Sequence, residues 1–211
     1  MMKTIEALEW RYATKKFDST KTIDNQKINR IKEAFNLTPT SYGLQPIKLI
    51  IVKSTETKKA LLPHSYNQHQ VVDASHLLVF CIEDIIDDEF ILQNFELIKK
   101  IRNTPEEVLA PYKNFLLDYF KKMPEENKKT WATNQAYLAM GNVLTTCALE
   151  AIDACPMEGF VPQQYKEILE LDKLQLSPVL VMPIGFRDEN DEFSSFKKVR
   201  RPLKETVIEL G

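Results

Sequence analysis

Two cationic stretches stand near opposite ends of the chain: Arg11-Tyr12-Ala13-Thr14-Lys15-Lys16-Phe17-Asp18 and Lys197-Lys198-Val199-Arg200-Arg201-Pro202. The first reads as an anion-binding strap. A helix-like segment with Ile5 and Leu8 on one face runs into it, and positive charge is favoured beyond a helix C-terminus. Taken alone, so short a basic motif is more often a solvated loop. The second cluster, set behind the acidic run at 188–192, is by default a solvated patch. The two make an anion site only if folding brings them together.

Two further stretches carry binding chemistry. Pro156-Met157-Glu158-Gly159-Phe160 permits an irregular backbone that can bring an N–H close to a ligand, although Pro and Gly also simply punctuate helix ends. Residues 41–46, from Ser41 to Pro46, offer a hydroxyl and an amide suited to a planar polar ring. None of the five glycines falls in GxGxxG or GxxxxGK[ST], so a phosphate-bearing cofactor would have to be held by Arg and Lys side chains or a helix N-terminus. His64, His69 and His76 lack partners at metal-ligand spacing, and His76 leads into an apolar run where a satisfied core histidine is the commoner case. No serine lies in GxSxG. A missing acid, base and nucleophile is natural where a cofactor carries the reactive atom.

The elements that must position these residues follow from periodicity. Asp24 predicts an N-cap for a helix with Ile28, Ile31 and Phe35 on one face, stopped near Pro39. Buried strands are predicted at 49–52, 77–82 and 179–184, and a short helix at 55–62. Helical spacing returns at 88–101, with Phe90, Leu97 and Ile101, and after Pro105 with Phe115, Leu116, Tyr119 and Phe120. Residues 123–129 read as a charged, exposed connection. From 130 to 149 there is no charged residue, yet Asn134, Gln135, Asn142, Thr145 and Thr146 make the stretch too polar for a membrane span. It reads as a helix buried on nearly all sides, which in a chain this short points to a subunit interface and hence a homodimer. Residues 207–210 suit an edge strand reaching onto the partner or a frayed tail. Small sheet and many helices together predict α+β or α/β layering.

At 211 residues, 44% hydrophobic and 27% charged, the composition is that of a soluble globular chain able to build its own core. A net charge of −2 provides no field to recruit nucleic acid. The three cysteines lie in apolar surroundings without CxxC pairing, which predicts reduced, buried thiols. Without an apolar leader, the expectation is a cytoplasmic protein, with no membrane partner and no metal.

With these stretches in chain order, the sequence resembles the nitroreductase family of flavoproteins, and looks closest to the oxygen-insensitive NAD(P)H nitroreductases and dihydropteridine reductases of enteric bacteria. The likeness covers nearly the whole chain and rests on RYATKKFD, TPTSYGLQP, DASH at 73–76, WATNQAYLAMGN, PMEGF and KKVRRP. It implies a single α+β domain over residues 1–211 with a small central sheet flanked by helices, paired into an intertwined homodimer with two FMN sites at the interface. Arg11, Lys15, Lys198 and Arg200 would then hold the phosphate and the pyrimidine end of the flavin, with Tyr12 and Ala13 of the strap against it and Asn67 and Gln70 near the ring. Thr40, Ser41, Gly43 and Gln135 would come from the other subunit, and Pro39 would also bind the cofactor. Pro156, Met157, Glu158 and Gly159 would cover one ring face, the Glu158 backbone N–H meeting N5, and Lys15 would support the reduced ring electrostatically. Phe115 and Tyr42 would line the side where substrates stack.

The implied activity is ping-pong hydride transfer from NAD(P)H to FMN, then two-electron reduction of a nitroaromatic, quinone or pteridine-like acceptor. A flavin-binding redox sensor or FMN store with little turnover is the alternative. The chain departs from the pattern at Gln70, where relatives usually carry a lysine, at Ala13 for a serine, at Gly43 for an asparagine and at Ile47 for a tryptophan. A lost cation or hydroxyl weakens binding by about 1–3 kcal/mol if unreplaced.

Overall fold

The computed structural model describes residues 3–211. Helix α1 (Thr4–Trp10) precedes the strap, and α2 (Asn25–Asn36) follows it. The Asp24 side chain accepts from the Lys27 N–H, so the expected cap is formed. Strand β1 (Ile47–Val52) leads through α3 (Thr55–Leu61) and α4 (Gln70–Asp73) to β2 (His76–Glu83). Three long helices follow: α5 (Asp88–Arg102), α6 (Glu106–Lys122) and α7 (Glu125–Leu149). The two-residue β3 (Asp153–Ala154), α8 (Pro162–Ile168), β4 (Leu176–Gly185) and α9 (Leu203–Thr206) complete the order.

The strands form one antiparallel sheet in the order β1-β2-β4-β3. Strand side chains alternate between faces. On β2, Leu78, Phe80 and Ile82 join the core under α2, α5, α6 and α7, while Leu77, Val79 and Cys81 join a second core with Phe17, Leu61, Val71 and Tyr165. Helices therefore cover both faces, which is why β2 and β4 read as unbroken apolar runs. The fold is α+β. A fourth strand joins the three expected ones, and β1, β2 and β4 each begin earlier than the apolar runs alone suggest.

One expectation needs correction. The charged stretch at 123–129 is not a connection: Pro124 caps α7, Glu125 and Glu126 occupy its first turn where the helix dipole favours acids, and Lys128 is buried with Nζ 3.0 Å from the Ile86 carbonyl. The uncharged helix is not enclosed by its own chain. Ala132, Ala136, Ala139, Val143 and Cys147 are fully buried, but Asn134, Tyr137, Leu138 and Gly141 form an open face. Ile5 and Leu8 of α1 also face outward, and Ala7 makes the buried contact. Residues 207–210 pair with no strand among the described residues.

No helix is long and apolar enough to cross a membrane, and no cluster that could hold a metal occurs among the described residues. All three cysteines are free and buried. His76 is the expected core histidine, 4% exposed with Nδ1 2.9 Å from the Ser75 hydroxyl. Burial first, then Lys53, Lys58 and Lys32, push its pKa down to about 4 from 6.5. Between those values the unfolded chain binds a proton that the folded chain refuses, so stability is whole above about pH 6.5 and falls toward pH 4. The unfolding free energy from urea titration should drop across that window by on the order of 1–3 kcal/mol more than in His76→Gln. Equal slopes in the two proteins would contradict the assignment.

Candidate functional site

The strap, residues 11–18, has little regular structure and is held by tertiary bonds. Ala13 bridges Ala154, the Thr14 N–H donates to the Ala154 carbonyl at 3.3 Å, and Phe17 bridges Arg187. The Phe17 ring, 3% exposed, sinks into the second core and anchors the segment. Gly185 gives it room: a Cβ there would lie 2.9 Å from Phe17 Cδ1. Arg187 lies 4.3 Å from the Trp10 ring centroid and 4.6 Å from that of Tyr12, and its Nε donates to Asp153 Oδ1 at 2.8 Å. Across from it, Asp191 accepts from the strap.

The C-terminal cations fold back onto this strap. Lys198 Nζ donates to the Arg11 carbonyl. Burial, then the neighbouring Arg200, push the Arg11 guanidinium below its usual pKa. Burial, then Arg11 and Arg200, do the same to the Lys198 ammonium. Among the described residues no ion pair engages Arg11, Lys15, Lys198 or Arg200. Arg11 Nε is buried with no partner. Like charges gathered without a counter-charge repel, and an anion seated among them relieves that cost. The two distant basic stretches thus form one cluster.

Residues 155–160 border the cluster. Lys15 Nζ is 3.8 Å from Cys155 Sγ, on the side of the strap nearest Pro156. Met157 pairs with Val181 in both directions, N–H to carbonyl at 2.9 and 3.1 Å, which fixes the segment to the sheet. The next N–H, that of Glu158, donates to no acceptor among the described residues. The Glu158 carboxylate instead accepts from the Tyr137 hydroxyl at 2.7 Å. Pro156, Met157 and Glu158 face Tyr137, Met140, Gly141 and Leu144 of α7 across a cleft of ≈ 510 Å³. The Gly159 carbonyl accepts from Gln68 Nε2 at 3.1 Å, and Gln68 in turn accepts from Gln70, which brings the 66–70 loop with exposed Asn67 alongside. Gln70 is itself turned inward, 5% exposed.

The remaining expected residues form a separate group. The Ser41 N–H donates to Gln135 Oε1 at 2.8 Å, and the Gln45 N–H to Thr40 Oγ1 at 3.0 Å. Pro39, exposed, precedes this turn, and Tyr42 and Gly43 within it take φ values of 58° and 72°. At Gly43 that conformation carries no side-chain penalty. The Tyr42 ring packs on Tyr119, Phe120 and Trp131. Phe115, half exposed, stacks between Tyr112 and Tyr119 and borders a cleft of ≈ 650 Å³ with Trp131 and Asn134. No hydrogen bond joins this group to the strap among the described residues. What links them is the open face of α7, which runs from Asn134 past Tyr137 to Gly141. A hollow of ≈ 700 Å³ lies against the outer strand β1 and touches none of the strap or C-terminal cations.

Asp191, Arg187, Asp153 and Tyr137 were not anticipated as site residues. Asp191 was hidden in an acidic run that looks solvated, and the pairing of Asp153 with Arg187 leaves no local signal.

The family model described as Nitroreductase matches residues 8–186. A Staphylococcus haemolyticus protein provisionally named as an NAD(P)H nitroreductase is 30% identical over 211 residues, spanning 96% of this chain and 95% of its own. A Staphylococcus epidermidis protein of the same name is 30% identical over 204 residues, 92% of each chain. Among solved structures, a Bacillus subtilis protein described as a nitroreductase superposes with a TM-score of 0.87 at 22% identity over 98% of both chains. One from Exiguobacterium sibiricum, described as a nitroreductase in complex with FMN, superposes with a TM-score of 0.84 at 20% identity, covering 100% of this chain and 98% of that one.

Proposed function

The chain belongs to the nitroreductase family, and from that premise we propose that it is an FMN-dependent NAD(P)H oxidoreductase that works as a homodimer. The observation that carries the reading is the unpaired cation cluster beside the free Glu158 N–H. These residues fit FMN: Arg11, Lys198 and Arg200 would hold its phosphate and Lys15 the pyrimidine end, with buried Arg11 Nε supplying an orphaned donor. Pro156, Met157 and Glu158 would cover the ring, the Glu158 N–H donating to N5.

The chemistry supplied by bound FMN is ping-pong hydride transfer from NAD(P)H to a nitroaromatic, quinone or pteridine-like acceptor. The chain's own residues orient and stabilise. Met157, tied to β4, fixes where the Glu158 N–H points, and Tyr137 restrains the Glu158 side chain. Cations held in place before reaction stabilise negative charge that develops on the ring without reorganising. No side-chain base is needed for that role.

The open face of α7, with exposed Ile5 and Leu8, supports pairing with a second copy. In that arrangement Thr40, Ser41, Gly43 and Gln135 of one subunit complete the site of the other, and Phe115 and Tyr42 border the acceptor. Loading tests the cofactor: flavin-stripped protein should take up one FMN per chain and turn yellow. A well-folded protein that cannot be loaded would sink the reading.

A further inference from the structure

An anion site made of long cationic side chains needs a frame, because each chain loses rotamer freedom on binding and the charges repel one another. Here Arg11 lies on the strap and Lys198 and Arg200 on the C-terminal segment, and neither stretch lies in a helix or sheet. One buried carboxylate joins them. Asp191, 3% exposed, accepts through Oδ2 from the Tyr12 hydroxyl at 3.0 Å, the Lys15 N–H at 2.9 Å and the Lys16 N–H at 3.1 Å. Its Oδ1 accepts from the Phe193 N–H at 3.2 Å, at the start of the segment that leads to Lys198 and Arg200.

All four of these donors are neutral, so the carboxylate is not spent on the cations. Convergence of consecutive N–H groups on one oxygen bends the strap at Lys15 and Lys16. The other side of Tyr12 is fixed by Arg187, itself tied to Asp153. Burial alone would raise the Asp191 pKa, but the Lys16 and Lys15 N–H groups and the Tyr12 hydroxyl bring it below the ordinary value, consistent with a carboxylate held charged by its donors.

We propose that Asp191 is a positioning residue: it holds the two halves of the cation site at the spacing a phosphate needs, and so sets a preference for phosphorylated over unphosphorylated flavin. This rests on the FMN reading above. The test titrates the flavin-stripped full chain, wild type and Asp191→Asn, with FMN and with riboflavin, following flavin fluorescence. Asparagine keeps one acceptor and reverses the other to a donor, so FMN affinity should fall about ten- to hundredfold while riboflavin affinity stays within about threefold. Equal losses for both ligands, or none for either, would overturn the proposal. Wild-type protein that binds neither flavin would instead remove the FMN reading and this inference with it. Should Asp191→Asn not fold, amide exchange on the wild type decides: Lys15, Lys16 and Phe193 amides should be protected before FMN is added. Exchange as fast as in an unstructured chain would contradict a preformed frame.

Discussion

Arg11→Ala should release most of the FMN on desalting, with affinity lowered by about 2–3 kcal/mol, roughly 30- to 150-fold. Arg11 is the cation most committed to an anion, since its Nε is buried without a partner and its charge is disfavoured both by burial and by Arg200. Removing it takes away a charge-assisted donor while leaving in place the backbone carbonyl that accepts from Lys198. Arg200, exposed and bonded to its neighbour's carbonyl at 2.7 Å, is less committed, and Arg200→Ala should cost nearer 1.5 kcal/mol. Titration of flavin-stripped protein measures both. Unchanged affinity in Arg11→Ala would remove the strap from the site.

The largest stability effect is expected at Phe17. Its ring is 3% exposed, lies against Gly185 and belongs to the second core with Val71, Leu77 and Val181. Truncation to alanine leaves a cavity in a region closed by the sheet, so Phe17→Ala should cost about 3–5 kcal/mol in urea unfolding. The same change unpins the strap between Asp18 and Thr14, so FMN binding should weaken in protein that remains folded. A cost below about 1 kcal/mol would mean that the site collapses around the gap and the ring is not an anchor.

What could be read from the sequence divides along physical lines. β2 and β4 are covered on both faces, so their apolar runs stand out; Asp24 announces α2 because a cap is a local device. The basic stretches and the missing glycine loops pointed to a phosphate held by side chains, and folding does bring Arg11 and Lys198 together. Long-range pairing is harder to see. β3 has two residues, too few for a periodic signal, and exists because Ala154 and Asp153 meet Ile184 and Gly185. Asp191 belongs to an acidic run whose other members look solvated, and only the fold turns it toward the strap. The start of α7 was obscured because charges suited to a first turn mimic those of a loop, and Lys128 buries its stem while its ammonium reaches a carbonyl. The uncharged run at 130–149 pointed to a subunit interface, and within one chain that helix keeps an open face.

Catalysis by bound FMN, as opposed to storage of it, is the central claim. Anaerobic mixing of the FMN-loaded protein with NADH or NADPH should bleach the flavin absorption in a single phase, and menadione or nitrofurazone added next should restore it, repeatedly and in proportion to the donor supplied. Flavin that stays oxidised with both donors, or that bleaches but passes no electrons to either acceptor, would contradict an oxidoreductase and leave a flavin-binding sensor or store.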